Sequence, residues 1–71
     1  MTKTQEQQIL NLVLKGLTAA GYDPFTQLTG YMATGNPAYI TRKYGTRELA
    51  VTLSPTVIQS YLAKDRQARS A

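Results

Sequence analysis

The residues best placed to do chemistry are Arg42, Lys43 and Arg47, and that chemistry is the holding of an anion. If 37–42 is helical and another helix starts at 46, these side chains surround one turn and converge. Arginine then offers a bidentate fork to a carboxylate or phosphate, and lysine a point charge. The plain alternative is three solvated surface charges. Proton-transfer and nucleophilic chemistry is poorly provided for, because the chain has no histidine and no cysteine. The carboxylates Glu6, Asp23, Glu48 and Asp65 show no pairing pattern, and Asp23 is better used as a helix cap. Gly16, Gly21, Gly30, Gly35 and Gly45 match neither a GxGxxG nor a P-loop pattern. The chain therefore reads as non-enzymatic, with no catalytic residue, no metal site and no cofactor.

The net charge is +4, and it is carried entirely by the C-terminal half. Lys3 and Lys15 balance Glu6 and Asp23 before position 36. After it, Arg42, Lys43, Arg47, Lys64, Arg66 and Arg69 outnumber Glu48 and Asp65. A basic half fits nucleic acid or an acidic patch on a protein, set against a solvated surface with a basic tail. Five tyrosines outnumber the single phenylalanine. Each suits a half-buried or interfacial position, with core packing and a hydroxyl reaching water as the plainer role. Base stacking would need aromatics alternating with basic residues, which only 39–47 approaches.

Several elements must position these residues. Residues 4–20 form an amphipathic helix, with Ile9, Leu10, Val13, Leu14 and Leu17 along one face. Leu12 lies off that stripe, as expected if a partner covers a second face. Gly16 costs the helix about 1 kcal/mol against alanine and so marks a close approach. Gly21 sits where a helix-ending glycine belongs. Asp23-Pro24, Asn36-Pro37 and Ser54-Pro55 each join a capping side chain to a proline, which suits the first helical position. They predict helices over about 24–33, ended by Gly35, then 37–42 and 55–66. Residues 39–53 carry two readings. Thr46 as a cap with Glu48 in the first turn gives a short helix through about 53. The β-formers on either side of Tyr44-Gly45 give a hairpin instead. The helix is preferred.

The fold class expected is all-α: a compact bundle of four to five short helices, helix-turn-helix-like in outline. Its 71 residues form a single domain, with 1–3 and about 65–71 frayed. A chain this short buries only about 60% of its unfolded surface. Pairing with a second copy supplies the missing core, so a homodimer is expected. The N-terminus has no signal-peptide pattern and the apolar stretch 9–17 is too short to span a bilayer. The expected location is cytoplasmic.

The middle of the chain resembles a known family. Gly21-Tyr22-Asp23-Pro24-Phe25-Thr26-Gln27-Leu28-Thr29-Gly30-Tyr31 and Thr34-Gly35-Asn36-Pro37-Ala38-Tyr39-Ile40 look like the core of the IreB-like (ReoM) regulators of Gram-positive bacteria. Arg42 and Arg47 fall on that family's R-x-x-x-x-R. The motif residues Gly21, Tyr22, Pro24, Gln27, Gly30, Tyr31, Gly35, Pro37, Ala38 and Tyr39 are then structural. The resemblance implies a small helical cytosolic homodimer that regulates cell-envelope synthesis. It implies a membrane Ser/Thr kinase as one partner and the Clp protease/MurA pathway as another, with Arg42 and Arg47 in the activity. Relative to the family, the arm before Gly21 is short, and Thr2 and Thr4 are the phosphorylation candidates there. The last helix departs from the family pattern at Ser54-Pro55-Thr56-Val57-Ile58-Gln59.

Two functions follow. The first is an adaptor or regulator that binds a protein through the Arg42, Lys43 and Arg47 surface, without membrane association. The second is a small helix-turn-helix DNA-binding protein. The helix from Pro55 would be its reader, but Thr56, Gln59 and Ser60 without an arginine make a poor one, so nucleic acid is disfavoured. A purely structural or assembly role stays open beside them.

Overall fold

The computed structural model describes the backbone of residues 3–70 and the side chains of residues 4–68. The chain is all-α, with α1 at Lys3–Ala19, α2 at Pro24–Thr34, α3 at Thr46–Ala50 and α4 at Pro55–Ser70. Two 3-10 turns, Pro37–Tyr39 and Lys43–Gly45, join α2 to α3. No strand occurs among the described residues, so the hairpin reading of 39–53 is set aside.

α1 packs against α3, and α2 packs against α4. Leu10, Val13 and Leu17 of α1 enter one core with Leu28, Ile40, Ala50, Leu53, Ile58 and Leu62. Ile9 and Leu14 flank it, as the apolar stripe predicts, and Leu12 stays exposed. The radius of gyration is 11.3 Å, close to the roughly 11 Å expected of a closed chain this long. The chain has therefore gathered its own core.

The local signals at the helix ends act as their chemistry predicts. After α1, Gly21 adopts φ 89°. Its N–H donates to the Thr18 carbonyl, and that of Tyr22 to the Leu17 carbonyl, each at 3.0 Å. This is the paired closure that a left-handed residue permits. Gly35 ends α2 at φ 70°, its N–H on the Tyr31 carbonyl. Each of the three prolines opens a helical segment.

The capping side chains divide the work differently. Asn36 caps as expected, its Oδ1 accepting the Ala38 N–H at 3.0 Å. Asp23 occupies the cap position of α2, but its carboxylate accepts the Thr26 hydroxyl at 2.8 Å and no backbone N–H of the helix.

The segment 37–53 departs from expectation. Helical geometry stops after Tyr39, because Ile40 turns extended (φ −105°, ψ 131°) and drives its side chain fully into the core. The β-branched pair Ile40-Thr41 favours that exit. Thr46 is not the cap of α3 but its first residue, preceded by Gly45 at φ 68°. It is almost wholly buried, and its hydroxyl donates back to the Lys43 carbonyl at 2.7 Å. A buried hydroxyl needs a partner, and this one finds it behind the helix. α3 also ends at Ala50, short of 53.

Gly16 marks the close approach its cost implied. A Cβ there would meet the Thr46 hydroxyl oxygen and lie 3.2 Å from the Thr46 Cβ. α4 extends through Ser70, beyond the predicted end near 66, and residue 71 lies outside the described residues. Its last turns are rich in Lys, Arg, Gln and Ala, which hold helical geometry without an apolar face. Of the expected frayed N-terminus, residues 1 and 2 lie outside the described residues.

Candidate functional site

The three basic residues come together. Arg42, Lys43 and Arg47 line one shallow groove of about 470 Å³, although the 37–42 helix on which their convergence was expected stops at Tyr39. The rest of its lining was not anticipated. It comes from Tyr22 just before α2, Gln27 in its first turn, Ala38 and Tyr39 in the first 3-10 turn, and Thr41. No Asp or Glu lines it.

Tyr39 is positioned by an absence of side chain. Its ring lies against Gly30 of α2, where a Cβ would stand 2.5 Å from Tyr39 Cδ1. Tyr39 and Tyr22 are each 46% exposed, so each offers part of its ring to the groove. Pro24 opens the helix that carries Gln27, and Gln27 N–H donates to the Asp23 carbonyl at 3.1 Å. Tyr31, one residue past Gly30, is half-buried against the core and lines no part of the groove. Gly21, Gly35 and Pro37 set the turns on either side.

The basic loop is held at both ends. Ile40 and Thr46 are buried, and the stretch between them is cross-braced by one side-chain and one backbone acceptor. Lys43 N–H donates to Thr41 Oγ1 at 3.3 Å, and Gly45 N–H to the Arg42 carbonyl at 3.3 Å. Within it Tyr44 takes a left-handed conformation (φ 59°, ψ 22°) while the residue is 71% exposed.

The three cations are not equivalent. Arg47 is half-buried, and its Nε donates to the Ile40 carbonyl at 2.9 Å. Arg42 and Lys43 are exposed, and among the described residues their side chains form no ion pair or hydrogen bond. The sequence marked all three by charge, but no local signal could assign Arg47 to a carbonyl that the fold brings to it. Thr4, the describable phosphorylation candidate, is exposed in the first turn of α1 and lines a separate groove with Lys64 of α4. Thr2 lies outside the described residues.

Among the described residues no helix is long and apolar enough to cross a membrane, and no group of three or more acidic side chains is placed to hold a metal ion. The sequence model of a family described as the IreB regulatory phosphoproteins matches residues 1–63. The match takes in α1, the motif region and the first half of α4, well beyond the motif alone. The chain belongs to the IreB family.

Proposed function

We propose that this IreB-family chain is a non-enzymatic regulator of cell-envelope synthesis that works by docking a protein partner on the groove of Arg42, Lys43 and Arg47. One observation carries the reading: three cations close in sequence, Arg42, Lys43 and Arg47, share a groove that no carboxylate lines. Uncompensated positive potential steers and selects a negatively charged partner surface. The family's description as regulatory phosphoproteins supports a role through protein partners. By the resemblance, those partners lie in the Clp protease/MurA pathway of Gram-positive bacteria, in the cytoplasm.

A homodimer remains part of the proposal. Leu12 and Val51 leave apolar surface exposed on the protomer, which a second copy would cover. Sedimentation velocity over a range of concentrations tests it, and a monomer throughout would refute it. Regulation by a Ser/Thr kinase would act at Thr2 or Thr4. A phosphate on Thr4 sits at the N-terminal end of α1, where the helix dipole favours negative charge. Phosphopeptide mass spectrometry after kinase treatment tests that site.

The docking test is capture of purified MurA and Clp ATPase by the immobilised chain, compared with Arg42→Ala/Lys43→Ala. Loss of capture with an unchanged circular dichroism spectrum is expected. Undiminished capture by the double variant would sink the reading.

A further inference from the structure

We infer that the groove takes an acidic peptide segment carrying one apolar side chain among its carboxylates. Arg42 and Lys43 grip the carboxylates, Tyr22 and Tyr39 wall the apolar side chain, and Arg47 serves as a positioning residue. The inference rests on the partner-docking reading above and specifies what that partner presents.

Charge sets the sign of the ligand. The side chains of Arg42 and Lys43 are exposed and, among the described residues, engaged by nothing, and no acidic residue lines the groove. A carboxylate placed there gains a charge-assisted hydrogen bond without displacing an existing partner. Two half-exposed tyrosine rings add apolar surface at small cost in side-chain entropy. The groove is largely open to solvent. Small molecules seek enclosed sites that bury most of their surface, whereas an extended peptide needs only a track. Single-stranded nucleic acid needs cations spaced along several phosphates, while here they cluster beside one turn.

The backbone beneath the cations is set before any ligand arrives. The Thr46 hydroxyl holds the Lys43 carbonyl, Gly45 N–H holds that of Arg42, and Arg47 holds that of Ile40. Binding then orders side chains rather than a loop, which keeps its entropic cost small. Arg47 acts through that brace: its Nε is spent inside the protein, and its effect on the ligand is to keep Arg42 and Lys43 in place.

The test is a proton–nitrogen NMR titration of the full chain with three probes. They are a short Asp/Glu peptide with a central leucine, its Asn/Gln counterpart, and oligouridine of similar length. Saturable shifts at Tyr22, Gln27, Thr41 and Lys43 are expected with the acidic peptide alone. Arg42→Gln/Lys43→Gln should weaken that binding at least about tenfold. Arg47→Lys, which keeps the charge but lacks the planar fork, should shift the amides of 41–45 in the free protein and weaken binding less. Equal binding of the neutral peptide at the same residues overturns the acidic class while leaving a docking groove. Oligouridine in place of either peptide overturns both readings. No saturation with the acidic peptide at millimolar concentration also overturns the acidic class. Arg47→Lys amides identical to the parent's would remove the positioning role.

Discussion

The Glu6 carboxylate accepts the backbone N–H of Ser54 at 3.0 Å, joining residues 48 positions apart. Ser54 immediately precedes α4, and Glu6 lies one turn into α1, so this contact pins the start of the last helix to the first. It answers a backbone donor at the foot of α4 with a charged acceptor, the stronger kind of hydrogen bond.

Glu6→Ala is therefore expected to reduce unfolding free energy by about 1–2 kcal/mol. Glu6→Gln keeps an accepting oxygen and should lose less than half of that. Urea denaturation followed by circular dichroism measures both. Equal losses would assign the effect to packing rather than to the acceptor.

Helix propensity and packing make opposite forecasts at Gly16. Alanine gains about 1 kcal/mol in an isolated helix, but its Cβ would collide with the Thr46 side chain. Overpacking costs about 1–3 kcal/mol, so Gly16→Ala should lower Tm. Adding Thr46→Ala clears the space and should recover part of the loss. A Gly16→Ala protein with raised Tm would contradict the close approach of α1 and α3.

Arg47 and Arg42 should separate in stability. Removing Arg47 leaves the Ile40 carbonyl without this donor, a loss of about 1–3 kcal/mol for a bond to a charged group. Arg42→Ala touches only an exposed side chain and should stay within about 0.5 kcal/mol of the parent. Thermal melts of the two variants decide, and any binding assay on Arg47→Ala must be corrected for its folded fraction.

Tyr44 offers a stabilising substitution. A tyrosine held left-handed carries a strain of about 1–2 kcal/mol, and its exposed ring returns little packing. Asparagine tolerates that conformation, so Tyr44→Asn should raise Tm by a few degrees. A lower Tm would mean that the ring contributes more than its exposure implies.

Thr29 offers another. Its hydroxyl oxygen is buried without a hydrogen-bond partner. Thr29→Val, of similar shape, removes the desolvated group and should leave stability unchanged or raise it by up to about 1 kcal/mol. Destabilisation in a melt would indicate that the hydroxyl has a partner in solution.

These contrasts show what could be read from the chain alone. The limits of α1 and α2 were legible because Gly21, Gly35, Pro24 and Pro37 act on their own backbone and need no tertiary context. The closeness of Arg42, Lys43 and Arg47 was legible from their spacing, although the 37–42 helix meant to bring them together does not form. The stretch 39–53 was not, because its geometry is decided by distant residues. Ile40 turns extended to reach the common core, and Thr46 is buried because Gly16 lets α1 lie on it. Capping propensity assigned Thr46 a local role that burial overruled. Tyr22 and Gln27 gave no signal of sharing the groove, since their place depends on how the start of α2 meets the following turn. Glu6 gave none either, because its partner is a backbone N–H that carries no residue identity.

Fixing the basic loop in the core at Ile40 and Thr46 also limits how this protein can vary. Between those anchors, individual side chains face solvent and are open to exchange, so specificity for a partner can drift by point substitution. The span itself is another matter. One residue added or removed must be absorbed wholly within 41–45, because Ile40 and Thr46 on either side are committed to the core. Retuning by substitution therefore meets fewer constraints than retuning by loop length.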